Sequence, residues 1–167
     1  EDPALVAGTF NEAADTYEPC ISADGRRMIF TRGRARNNAD LYSCTWNGKA
    51  WGDPVALDDL NTAADELGPA LSDDGQLLYF YSDRDGSRGG YDIWIARWDG
   101  FTWVAPTNAG EAVNSVFNEY GPALAPGGDR LFFSSNRPRR ELTDAERRAW
   151  QATLREVTFQ TDYDIFA

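Results

Sequence analysis

Residues 67–103 read LGPALSDDGQLLYFYSDRDGSRGGYDIWIARWDGFTW, and this stretch decides the fold. Two short apolar runs, Leu67 to Leu71 and Leu77 to Tyr81, flank Asp74-Gly75. Aspartate followed by glycine between apolar runs signals a hairpin with a two-residue turn, because glycine accepts the positive φ of a primed turn. A third run starts at Tyr91 and a fourth at Trp103, with Asp99-Gly100 between them. In Leu77-Leu78-Tyr79-Phe80-Tyr81 and Ile93-Trp94-Ile95-Ala96 nearly every position is apolar. Strands of this kind are buried on both faces.

The pattern repeats on both sides of this stretch. NEAADTYEP begins at Asn11, NTAADELGP at Asn61 and NSVFNEYGP at Asn114. YEPCISADGRRMIF from Tyr17 and YGPALAPGGDRLFF from Tyr120 match the opening hairpin, with Gly127-Gly128 at the third turn. ADLYSCTWNG from Ala39 and YDIFA from Tyr163 match the third strand, and WGDPVAL from Trp51 matches the fourth. One unit is therefore four short antiparallel strands in about fifty residues with recurrent aromatics, the sequence form of a β-propeller blade. The reading is an all-β chain with blades at 11–60, 61–113 and 114–167. Residues 1–10 resemble the strand around Asp53-Pro54-Val55 and read as the fourth strand of a preceding or closing blade. Propellers close with about four to eight blades. Three blades alone would leave aromatic faces and strand edges open. Two expectations follow: a longer propeller, or self-association or a partner that completes the ring.

The string GPALSDDGQLLYFYSDRDGSRGGYDIWIARWDG resembles the TolB-type, WD-repeat-like propeller repeat of bacterial envelope proteins. The matching features are Gly-Pro, Ser-x-Asp-Gly, Tyr-Phe-x-Ser-Asp-Arg and Gly-Gly-Tyr-Asp-Ile. Blade one departs from them, with Thr31-Arg32-Gly33-Arg34 in place of the Ser-Asp-Arg segment. The resemblance implies a periplasmic or extracellular location and protein–protein or glycan contacts.

Composition removes several other functions. The formal charge is −11, from 27 acidic and 16 basic residues. Such a surface repels phosphate backbones and anionic lipid, which argues against nucleic-acid and membrane-surface binding. It suits a cation-rich environment or a basic protein partner. The chain has no histidine. That removes Ser-His-Asp and Cys-His catalysis and the usual zinc sites. No apolar run is long enough to insert in a bilayer.

Candidate sites fall on loops and on one insertion. Arg84 and Arg137 follow the second strands, beside Asp83 and Asn136, with Arg34 at the matching place in blade one. They read either as bridges between neighbouring loops or as a rim for a partner. Asp15, Asp65, Glu66, Asn118 and Glu119 lie in the links between blades. They cap turns or, as weak candidates, Asp65, Glu66 and Glu119 hold Ca²⁺, although their spacing matches no compact Ca²⁺ loop. Asp40, Asp92 and Asp164 recur once per blade, which points to architecture. Cys20 and Cys44 sit on the first and third strands of one blade, roughly 9–10 Å apart at strand spacing, too far for a disulfide. Both read as small buried core residues. The insertion RRELTDAERRAWQATLREVTFQ follows Pro138. Thr143 to Glu146 fits a capping box, and Trp150, Leu154 and Val157 then form an apolar stripe on a helix over about 143–157. That stripe either covers its own propeller or docks a partner.

The functional expectation is a non-catalytic interaction or scaffold module of the bacterial envelope, an accessory subunit of a larger assembly. It has no catalytic residues and no cofactor, Ca²⁺ apart. The alternative is the propeller of a hydrolase, either a peptidase gating domain or a carbohydrate-active enzyme whose paired carboxylates serve as acid and base.

Overall fold

A computed structural model describes residues 6, 9–11, 15–138, 143–146 and 164–166. Three antiparallel sheets follow one another along the chain. The first contains β1 (Thr16–Ile21), β2 (Arg27–Arg32), β3 (Asp40–Thr45) and β4 (Val55–Ala56), in that order. The second contains β5 (Glu66–Leu71), β6 (Leu77–Ser82), β7 (Asp92–Trp98) and β8 (Trp103–Asn108). The third contains β9 (Glu119–Leu124), β10 (Leu131–Ser135) and β11 (Asp164–Phe166). Each is a meander, and each new first strand packs on strands of the blade before it. Strand direction alternates, so the β1–β2 and β5–β6 turns lie on one face. The β2–β3 and β6–β7 loops and the links between blades lie on the opposite, loop face.

The middle blade is buried from both sides. Leu78, Phe80, Trp94 and Ala96 join Ile29 and Leu41 of the first blade in one cluster. Tyr81, Tyr91 and Ile93 join Phe133 of the third blade in another. Alternate residues of β6 and β7 therefore feed two cores, which explains their unbroken apolar runs. On the far face of the first blade, Met28, Phe30 and Cys44 pack with Tyr42 and Trp51. Arg32 lies over the Tyr42 and Phe30 rings, 4.8 and 5.9 Å from their centroids.

The turns differ from the two-residue primed turns expected from sequence. The Gly25 N–H donates to Ser22 O at 2.8 Å, and Gly75 to Ser72 O at 2.8 Å. Gly25 and Gly75 have φ of 69° and 68°, whereas Asp24 and Asp74 keep negative φ. These are type I turns followed by a left-handed glycine. The reason is local. Asp24 accepts from Ser22 Oγ and Arg26 N, and Asp74 from Ser72 Oγ and Gln76 N, which holds the aspartate in its turn. In the third copy Gly128 donates to Ala125 O, and Gly127 follows Pro126 with φ 87°, a type II turn.

Cys20 and Cys44 lie on opposite sides of β2, in register with Ile29 and Met28, and both thiols are free. Cys44 is buried, but Cys20 is only half-buried, contrary to expectation. Its sulfur accepts the Leu71 N–H of the next blade at 3.3 Å. Burial raises both thiol pKa values.

The capping box forms at the insertion. Glu146 Oε2 accepts from Thr143 N at 2.9 Å, while Thr143 Oγ1 accepts from Glu146 N at 3.3 Å. Residues 144–146 are helical. Trp150, Leu154 and Val157, and residues 1–5, lie outside the described residues.

Candidate interaction face

Sequence copies place the same groups at each blade junction, and the loop face shows what they do. Glu66 opens β5 and is buried. Its carboxylate accepts from Thr62 N, Thr62 Oγ1 and Ser82 Oγ, and pairs with Arg84 Nη2 at 2.9 Å. Arg84 Nη2 also donates to Leu60 O at 2.6 Å. The guanidinium lies 4.9 and 5.3 Å from the Phe80 and Trp94 ring centroids. Burial lowers the Arg84 pKa, and Glu66 opposes that shift.

The next junction repeats this arrangement. Glu119 accepts from Ser115 N, Ser115 Oγ and Ser135 Oγ, and pairs with Arg137 at 2.9 Å. Arg137 reaches Val113 O at 2.6 Å. Each arginine thus ties the loop after its second strand to the preceding link. In blade one Thr16 stands where the others have glutamate. Arg34 there pairs with Asp15 at 3.0 Å on the surface.

The neighbouring polar residues are equally committed. Asp83 accepts from Asp65 N, and Asn136 from Asn118 N, so both reach the previous link and not nearby backbone. Asp65 accepts from Arg36 N, Ala39 N and Tyr91 Oη. Asn118 accepts from Tyr91 N. Asp92 accepts from Arg88 N at 2.8 Å and Asn108 Nδ2 at 2.6 Å. Burial still raises the Asp92 carboxyl pKa, against these hydrogen bonds. Asp40 is raised too, by burial first and then by the Glu66 charge. Among the described residues no cluster of three carboxylate or cysteine side chains is placed to hold a metal. Asp65, Glu66 and Glu119 point their oxygens at N–H and O–H donors.

Three features went unread in the sequence. The first is the asparagine that opens each repeat. Asn61 accepts from Leu41 N and donates to Leu41 O, both at 2.9 Å. Asn114 does the same for Ile93, at 2.8 Å each way. An amide side chain thereby continues the strand ladder. The repeat of asparagine was visible, but its partner lies in another strand.

The second is Glu18, which occupies the place of Gly68 and Gly121. All three share a left-handed backbone, with φ of 52°, 56° and 54°. A side chain there is strained. Its carboxylate accepts from Gly68 N and Tyr81 Oη, both at 2.9 Å, across the junction of blades one and two. The missing glycine in Tyr17-Glu18-Pro19 was the available signal.

The third is a tyrosine cluster below the loop face. Tyr81, Tyr91 and Tyr120 meet with centroids 5.4–5.7 Å apart. Burial first, and the Glu18 and Asp65 charges next, raise the Tyr81 and Tyr91 hydroxyl pKa values; Tyr17 is raised to about 12, also chiefly by burial.

Above these clamps the loop face carries a depression of about 370 Å³, lined by Thr62, Ala63, Ala64, Asp83, Arg84 and Asp85. Asp83, Asp85, Thr62 and Ala63 are exposed around it. No described helix is long and apolar enough to cross a membrane.

No family model and no curated protein matches the chain. Solved structures do. The chain is similar to a protein assigned as TolB from Agrobacterium tumefaciens, at 25% identity and a TM-score of 0.57, over 75% of this chain and 40% of that one. It is also similar to TolB from Acinetobacter baumannii, at 14% identity and a TM-score of 0.53, over 75% of this chain and 28% of that one. The second likeness is one of fold alone. The chain spans less than half the length of either neighbour.

Proposed function

Because this chain is a TolB-like β-propeller, we propose that it is a non-catalytic protein-interaction module of the bacterial envelope, an accessory part of a larger assembly. The observation that carries this reading is the fate of the charges on the loop face. Glu66, Arg84, Glu119, Arg137 and Asp65 are engaged in holding loops to neighbouring links, and Asp92 holds its own loop to β7 and β8. An acid–base pair or a nucleophile needs a group left available to a substrate. Groups committed to internal donors make a rigid shape instead, and a preorganised surface binds at a lower entropic cost.

Partner contacts fall around Thr62, Ala63, Asp83 and Asp85, with Arg84 and Arg137 as residues that position the loops. The Trp150, Leu154 and Val157 stripe is the second contact region. The exposed Asp83 and Asp85 on the loop face favour a basic partner and a salt-sensitive encounter. Completion of the ring by a partner or a second copy belongs to the same reading, as does a periplasmic or extracellular location.

The test is site-specific photo-cross-linking in cells that make the protein. A cross-linker at Ala63 or Asp85 is expected to trap one discrete protein species. The same group at Arg26, on the opposite face, is expected to trap none. Equal trapping from both faces, or none from the loop face, defeats the proposal.

A further inference from the structure

The outer strands of blades one and two enclose a cleft of about 400 Å³, away from the loop-face depression. Its lining includes Arg27, Asp58, Asp59, Trp98, Phe101 and Trp103. A second depression of about 290 Å³ shares Arg27 and Trp98 and runs on to the Asp24 and Asp74 turns.

Architecture explains part of this lining. Trp98 and Trp103 pair at 5.3 Å across the base of their hairpin, as Trp46 and Trp51 do at 5.5 Å in blade one. Paired indoles are therefore a clasp repeated in both blades. Two residues are not repeated. Phe101, at the hairpin tip, is 91% exposed and stands where blade one has Lys49. The tip is ordered, since Asp99 Oδ1 accepts from Phe101 N at 2.9 Å and Thr102 N at 3.0 Å. Arg27 stands where blade two has Leu77. Its guanidinium lies 5.2 Å from the Trp98 centroid. It forms no ion pair among the described residues, although Asp58 and Asp59 line the same cleft, where Asp59 Oδ2 accepts from Thr102 Oγ1 and braces the hairpin tip.

The ligand class follows from this mixture. An anion meets Asp58, Asp59 and a chain of charge −11. A cation meets the Arg27 charge, which lines both depressions. A wholly apolar ligand would strip water from two carboxylates and a guanidinium without replacing it. A neutral ring with hydroxyls on its edge and C–H groups on its faces avoids all three costs. Carboxylates accept its hydroxyl protons, the guanidinium donates to its oxygens, and aromatic rings cover its faces. The volume is within the range of about 300–1,000 Å³ usual for small-ligand sites. We propose that this cleft is a binding site for a neutral oligosaccharide, with Phe101 as stacking platform and Arg27 and Asp58 as hydroxyl-recognising groups. The two depressions in line fit a linear chain of sugar rings. This site shares no lining residue with the loop-face depression and stands or falls independently of it.

Trp98 and Trp103 report on the cleft by fluorescence. Cellotetraose, maltotetraose and chitotetraose are titrated singly against the intact protein, with saturation-transfer NMR on the sugar protons. At least one is expected to give a saturable change with a millimolar dissociation constant. Phe101→Ala and Arg27→Leu are expected to weaken that binding about tenfold, about 1.4 kcal/mol each. Arg27→Leu installs the residue blade two already uses there, and thermal denaturation checks that both variants fold. Lys49→Ala should bind as wild type does. No saturable change with any of the three sugars overturns the proposal, as does undiminished binding by a folded Phe101→Ala. Displacement of the sugar signal by an oligolysine peptide at equal concentration also overturns it, since it assigns the cleft to a cationic peptide.

Discussion

Single positions in this chain carry opposing costs, and Glu18 shows how they balance. Its left-handed backbone costs about 1–3 kcal/mol, while its carboxylate satisfies Gly68 N and Tyr81 Oη. Glu18→Gly should therefore remove the strain and still destabilise, because the Tyr81 hydroxyl loses its acceptor and the Gly68 N–H keeps only the longer bond to Thr31 Oγ1 at 3.2 Å. Glu18→Gln keeps the side-chain length and should cost less than Glu18→Gly. A denaturation midpoint for Glu18→Gly at or above wild type would show that the clamp contributes nothing. The two matching glycines separate sterics from backbone. A methyl at Gly68 would sit 2.4 Å from the Tyr81 ring, whereas one at Gly121 has open space within 4 Å. Gly121→Ala should cost about 1–3 kcal/mol for φ alone, and Gly68→Ala clearly more. Equal losses would contradict the Tyr81 packing. Asp92 supplies a pH signature. Burial lifts its carboxyl pKa above the usual 3.8, so the folded state holds the proton more tightly than the unfolded chain does. Its contribution is complete below 3.8 and declines as pH rises through the elevated folded value. Asp92→Asn should remove that decline, so the stability difference between variant and wild type should change with pH across this window. A pH-independent difference would sink the assignment. Asp24 and Asp74 act with the opposite sign: hydrogen bonds from Ser22 and Ser72 lower their pKa values, and that contribution is lost on acidification.

Elements were legible where a residue pattern acts locally and hidden where partners sit far apart in sequence. Apolar runs such as Leu77 to Tyr81 located the strands, because a strand buried on both faces has nowhere to put a polar side chain. The Asp-Gly pairs located the hairpins but not their geometry. Whether glycine is the second turn residue or the one after it depends on Ser22 and Ser72, whose hydroxyls hold the aspartate. The loop-face clamp was half visible. Arg137 and Glu119 are 18 residues apart, and Arg84 and Glu66 share that spacing. Read singly, the glutamates resembled weak cation ligands and the arginines a partner rim. Only the fold brings a second-strand loop onto the preceding link. Breaking the clamp should be costly and graded by burial. Glu66→Gln leaves the Arg84 charge without its counter-ion at 9% side-chain exposure, and about 3–5 kcal/mol is expected. Glu119→Gln should cost less, since Arg137 is 25% exposed and water can reach it. Denaturant unfolding of the two variants checks the order. A larger loss at Glu119 would show that burial does not set the scale.

Across the molecule, stability belongs to junctions as much as to blades. Each blade contacts its neighbours in sequence, so the free energy resembles a sum of blade terms and nearest-neighbour terms. Asn61 and Asn114 sit at these junctions and reach back to the preceding third strand. Asn114 satisfies both backbone groups of Ile93, a fully buried residue. Asn114→Ala would strand that N–H at about 1–3 kcal/mol, while the carbonyl keeps the Ala109 N–H at 3.0 Å. The loss should stay local, because Asn61 still holds Leu41 at the first junction. Hydrogen exchange by mass spectrometry can resolve this. In Asn114→Ala, peptides covering β6 and β7, whose Ile93 N–H loses its partner, should gain exchange, with those covering β2 and β3 near wild type. In Asn61→Ala the gain should shift to β2 and β3, whose Leu41 N–H loses its partner. Uniform acceleration in both variants would mean that the blades open together. The nearest-neighbour account would then be wrong, and the clamps would be stabilising one cooperative core and not separate junctions.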